Sequence, residues 1–123
     1  MFNPQGEELI KRTAAFADAV IDFCDTLPER MAINKIKSQL LDAATSVASN
    51  YRGACRARSR AEFIAKIGVV REEADESFGW LEMLVRKGAC HKETAAPLIQ
   101  EAYELTAIMN SSYTTASRRR KGR

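Results

Sequence analysis

Ser46-Val47-Ala48-Ser49-Asn50-Tyr51-Arg52, Cys55-Arg56-Ala57-Arg58-Ser59, Ala61-Glu62-Phe63-Ile64-Ala65-Lys66, Glu72-Glu73-Ala74-Asp75-Glu76 and Trp80-Leu81-Glu82 decide how this chain folds. They lie between Ala32 and Lys87 and read as two amphipathic helices hinged at Cys55–Ser59. In the first helix Ile33, Ile36, Leu40, Ala44, Val47, Tyr51 and Ala54 recur at helical spacing and form one apolar stripe. Gln39, Ser46 and Asn50 flank it on one side. Ser59-Arg60-Ala61-Glu62 is a capping box, a specific start signal for the second helix. There Phe63, Ile67, Val70, Ala74, Phe78, Leu81 and Val85 form the expected core stripe, and Gly88 is the expected C-cap.

Outward from this pair, Asn3-Pro4 starts a preceding helix that ends before Pro28. Its stripe is Leu9, Thr13, Phe16, Val20, Phe23, Cys24 and Leu27. A second apolar strip of Ile10, Ala14, Ala17 and Ile21 lies about a quarter turn away, more than one core contact can cover. The last helix opens near His91 to Thr94, tolerates Pro97 in its first turns, and turns Leu98, Ala102, Leu105, Met109, Ser112 and Ala116 inward. Four long helices joined by short loops give an all-α fold, an up-down-up-down antiparallel four-helix bundle. Residues 1–117 are expected to form it, and residues 118–123 a basic, disordered tail.

The 123 residues suffice for one domain, and no apolar run approaches the length of a membrane span, so a cytoplasmic protein is expected. Cys24, Cys55 and Cys90 are widely spaced and odd in number, which fits free thiols in a reducing compartment. With His91 the only histidine, no metal site and no cofactor are expected. The net charge of +3 belongs to the tail: Arg118, Arg119, Arg120, Lys121 and Arg123 turn a slightly acidic body into a basic chain.

Two groups of residues are candidates for function. The first is basic: Arg52, Arg56, Arg58 and Arg60 near the hinge, together with the C-terminal arginines and lysine. Such patches contact phosphates and bind RNA or DNA without reading sequence. Their alternative roles are a solubilising surface and attraction to an anionic membrane, but no membrane partner is expected because no lipidation motif or amphipathic basic helix accompanies the tail. The second group is Glu62, Lys66, Glu73, Glu76 and Trp80, which project from one flank of the third helix, with Asn50 on the second. Glu73 lacks the histidine three residues on that di-iron bundles use, which argues against a carboxylate metal site. A tryptophan ringed by charges fits a subunit interface or a polar network that fixes helix register. Gly68 and Gly79, eleven residues apart on a strip expected to face away from the core, either admit a close partner or are tolerated helix defects. No nucleotide-binding glycine loop or nucleophile elbow occurs.

The string Ser38-Gln39-Leu40-Leu41, Ala43-Ala44-Thr45-Ser46-Val47, Asn50-Tyr51-Arg52, Arg56-Ala57-Arg58-Ser59, Ala61-Glu62-Phe63-Ile64, Glu73-Ala74 and Trp80-Leu81-Glu82 resembles a known family. This is the family of bacterial four-helix-bundle proteins first noticed as reading frames within intervening sequences of 23S ribosomal RNA genes. The resemblance implies a homopentameric ring with no known enzymatic activity. A related branch, the accessory variability protein of diversity-generating retroelements, is implied to bind reverse transcriptase and nucleic acid through basic surfaces. Gly53 and Gly79 depart from the family pattern, which has an acid after Asn-Tyr-Arg and a bulkier residue before the tryptophan. The reading is therefore a non-enzymatic homo-oligomer, a pentamer by resemblance, that binds RNA or DNA non-specifically. The alternatives are a protein–protein adaptor without a nucleic-acid role, and a helical enzyme with an unidentified metal or cofactor.

Overall fold

Local chemistry fixes both ends of the third helix. The computed structural model describes the backbone of residues 4–121 and the side chains of residues 6–118, which form α1 (Pro4–Asp25), α2 (Met31–Cys55), α3 (Arg60–Arg86) and α4 (Lys92–Lys121). Ser59 is the N-cap of α3 and its hydroxyl accepts the Glu62 N–H at 3.1 Å. The Glu62 carboxylate reaches back one residue further than a capping box requires, to the Arg58 N–H at 2.9 Å. At the other end Ala89 N–H donates to Leu84 and Gly88 N–H to Val85, at 2.9 and 3.0 Å. Gly88 sits at φ +71°, the left-handed conformation that this closing motif needs and that glycine adopts without strain.

The bundle runs α1–α2–α3–α4 with α3 packed between α2 and α4, while the seam between α1 and α4 is the sparsest. Leu40, Val47, Ile67, Val70, Leu81, Leu84, Leu105 and Met109 are fully buried along its axis. On α3 the buried arc differs from the expected stripe: Ile64, Ser77 and Leu84 are inside, whereas Phe63, Phe78 and Val85 are only half-buried. Apolar periodicity misses this rotation because Ser77 is polar. Its hydroxyl satisfies itself on the Glu73 carbonyl at 2.8 Å, which lets a small polar residue occupy the core. Thr13 is buried in the same way, donating to the Leu9 carbonyl at 2.8 Å.

The sparse α1–α4 seam is closed midway by one ion-pair cluster. Arg12 donates to both oxygens of Glu101 at 2.7 and 2.8 Å and to Glu104 at 2.8 Å. The paired, planar geometry suits a guanidinium, and the hydrogen bonds to Glu101 hold Arg12 more firmly protonated than usual.

Gly53, Gly68 and Gly79, each inside a helix, have different surroundings. A Cβ on Gly53 would meet the Lys66 methylenes at 3.3 Å, and one on Gly68 would meet the Tyr113 ring at 3.3 Å. Gly68 therefore faces α4 of its own chain, where Arg71 also lies over Tyr113 at 4.2 Å from the ring centroid. Gly79 is exposed and a Cβ there meets nothing within 4 Å. Gly79→Ala is expected to add about 1 kcal/mol of stability by relieving the helix-propensity penalty, which raises the melting temperature by about 4 °C. Thermal denaturation checks the gain. A fall in particle mass of the same variant would identify Gly79 as a site of close contact between copies.

Candidate functional site

The hinge between α2 and α3 is built to present arginines. Arg56 N–H and Ala57 N–H close the last turn of α2 on the carbonyls of Gly53 and Ala54, both at 3.1 Å. Glu62 and Ser59 then lock the first turn of α3. Arg56, Arg58 and Arg60 project from this fixed turn, and Arg52 from the turn before it; all four are exposed. Among the described residues none of the four has an ion pair: the acids that engage cations do so with Arg12 and Lys37. Glu62 spends its carboxylate on a backbone N–H instead. The four guanidiniums therefore face solvent without a neutralising partner among the described residues.

The far end of α4 arrives at the same place. Arg60 shares a groove with Thr115 and Ala116, so the hinge arginines and the last turns of α4 lie at one end of the bundle. Arg118 is exposed there. The backbone of α4 stays helical through Lys121, beyond the bundle boundary at residue 117 that the sequence pattern sets. Arginine and lysine are good helix formers, and positive charge is favourable at a helix C-terminus. The side chains of Arg119, Arg120 and Lys121, and all of Arg123, lie outside the described residues.

The second group of candidates divides between several tasks. On α2 Gly53 and Ser46 are seven residues apart; on α3 so are Lys66 and Glu73. The antiparallel register sets Lys66 over Gly53 and Glu73 toward Ser46. Asn50 donates to the Ser46 hydroxyl at 2.7 Å and carbonyl at 3.1 Å. Asn50, Ser46 and Glu73 thus form a polar seam beside the core. Glu62 is instead a capping residue. Glu76 is exposed, and with Trp80, Met83 and Arg86 it lines a shallow outward groove of about 440 Å³. Trp80 is half-buried, packed against the core on one side, and its indole N–H is enclosed with no acceptor among the described residues. Ser46 carries the seam although it is only a small polar residue at a stripe edge; its spacing of four from Asn50 is the one signal of it in the sequence.

Burial raises the pKa of Glu73, with Glu76 and Glu72 adding repulsion; the Ser46 hydroxyl opposes the shift and Asp42 adds to it slightly. A carboxylate whose folded pKa lies above its unfolded one favours the folded state while protonated, and that advantage is lost as pH rises through the folded value. Glu73→Gln keeps a hydrogen-bonding group toward Ser46 and removes the charge. The variant is expected to melt above the parent at pH 7, with the gap closing as pH falls below the ordinary glutamate value of 4.5. A pH series of melting temperatures checks the sign.

Cys24 and Cys90 are poor candidates for nucleophiles. Burial pushes Cys24 up to about 11, and it raises Cys90 as well, so both remain protonated at neutral pH.

The hinge motif, the bundle order and the arginine end now stand together, and the family model described as 23S rRNA-intervening sequence protein matches residues 7–111. The chain belongs to this family. The match spans Arg52, Arg56, Arg58, Arg60 and the polar seam, and stops before the last turns of α4 that carry Arg118. A solved member of the S23 ribosomal protein family from Bacteroides thetaiotaomicron, described as a protein with unknown function, is 25% identical with a TM-score of 0.77. The alignment covers 85% of this chain and 96% of that one. No curated protein matches the chain. Among the described residues no helix is long and apolar enough to cross a membrane, and no group of three or more potential metal ligands occurs.

Proposed function

We propose that this family member is a non-enzymatic homo-oligomer that binds the phosphate backbone of RNA or DNA through the arginine end of its bundle. The observation that carries the reading is the set Arg52, Arg56, Arg58 and Arg60, exposed and without acidic partners among the described residues, at the end where α4 delivers Arg118. Five copies, the stoichiometry that the family resemblance implies, would multiply this surface and turn weak single contacts into avid binding. The exposed side of Trp80, with Glu76 and Arg86 around it, is the proposed contact between copies.

The test is binding of a fluorescent oligonucleotide across a salt series, by the intact chain and by a chain ending at Ser117. The logarithm of affinity is expected to fall steeply with the logarithm of salt for both, with a shallower slope after truncation. Absence of binding even at low salt would overturn the reading. A second reading, a protein adaptor, is favoured by the exposed apolar side chains Ile21, Val69 and Tyr103, and that outcome would leave it standing.

A further inference from the structure

The arginine end contains a groove of about 840 Å³ between the start of α1, the start of α3 and the last turns of α4. It exists because the Arg12 cluster closes the α1–α4 seam only midway, while α4 faces α1 beyond that point with small side chains. Leu9, Phe63 and Ile108 line its apolar side and are half-buried, so each keeps surface toward the opening. Ser111 and Thr115 add hydroxyls, Arg60 a guanidinium and Glu8 a carboxylate.

We propose that this groove receives an unstacked base of a single-stranded nucleic acid whose phosphates are held by the arginines around it. The inference rests on the phosphate-binding reading above and adds the kind of strand bound. A nucleic-acid base needs apolar contact for its faces and polar partners for its edge, and single-strand binders combine an aromatic or apolar platform with a cationic track. The groove has both. Phe63, Leu9 and Ile108 supply the apolar contact. Ser111 and Thr115 can donate or accept at a base edge, and Glu8 can accept from an exocyclic amino group. Arg60 has no ion pair among the described residues, and the exposed Arg58 and Arg118 lie two residues along the chain from the lining residues Arg60 and Ala116, so the phosphates are assigned to these arginines and not to the side chain of Glu8. The volume falls within the usual range for small-ligand pockets and exceeds what one base requires. A duplex keeps its bases stacked and would offer this surface phosphates alone.

The experiment compares two strands of about ten nucleotides, one native and one abasic throughout, at matched salt and with the full chain. Base entry is expected to make the native strand bind about tenfold more tightly, in RNA and in DNA alike, with equal salt slopes for the two strands. The double variant Ser111→Leu and Thr115→Leu fills the groove from exposed positions and should abolish that ratio, leaving abasic-strand binding and melting temperature unchanged. Thr115→Ser should preserve the ratio. Equal affinity for native and abasic strands, or a ratio that survives the leucine variant, overturns the groove while leaving phosphate binding intact. Failure of both strands to bind at low salt overturns the phosphate reading, and the groove with it.

Discussion

On the proposed phosphate-binding role, replacing Arg56, Arg58 and Arg60 together with alanine is expected to lower affinity for duplex or single-stranded nucleic acid roughly 100-fold at about 0.1 M salt. Each guanidinium that neutralises a phosphate releases a condensed counterion, so each adds close to one unit to the log–log salt slope. The triple variant is therefore expected to lose up to about three units of slope on duplex DNA, which is a more specific signature than weaker binding alone. The fold should not suffer. All three side chains are exposed and none holds an ion pair among the described residues, so stability should change by no more than about 0.5 kcal/mol. Arg60 is the first residue of α3, where a positive charge opposes the helix dipole, and its removal there is mildly favourable. An unchanged melting curve with an unchanged salt slope would place the phosphate contacts elsewhere on the molecule.

Trp80→Ala is expected to shift the particle toward smaller species while the chain stays helical. Tryptophan in a shallow groove ringed by Glu76, Arg86 and Asp75 has the composition of an interface anchor, and truncating such an anchor costs about 2 kcal/mol or more of association energy. Trp80 also packs against its own core, so some loss of intrachain stability accompanies the substitution. Leu84→Ala separates the two effects. Leu84 is fully buried on α3, and its truncation should cost about 3 kcal/mol of stability through the cavity it leaves. Light scattering well below either melting point should then show reduced mass for Trp80→Ala and parental mass for Leu84→Ala. Equal mass for all three proteins would remove Trp80 from the interface and assign it to intrachain packing.

Much of the architecture is readable from residue spacing. Ser59 to Glu62 marks a helix start because a short hydroxyl and a long carboxylate satisfy amides that the helix cannot, and that chemistry is local. Gly88 marks a helix end for the equally local reason that its φ is positive. Leu40, Val47, Ile67, Val70 and Leu81 announce themselves as core because a bundle buries one stripe per helix, and they are all buried.

Other features depend on which helix stands next to which. Ser77 is inside and Phe78 only half inside because α3 has neighbours on two sides, and a serine that satisfies its hydroxyl on its own helix is cheap to bury. The seam of Ser46, Asn50 and Glu73 needs the antiparallel register of α2 against α3. The Arg12 cluster with Glu101 and Glu104 needs α1 beside α4, residues far apart in the chain. The candidate site is of this second kind. The sequence by itself determined four helices, the caps of α3, most of the core positions and two separate runs of basic residues, because caps and periodicity are properties of one segment. Only the tertiary structure decided that the hinge arginines and the end of α4 share one face beside an open groove, because that depends on helix order and relative length rather than on any segment's composition.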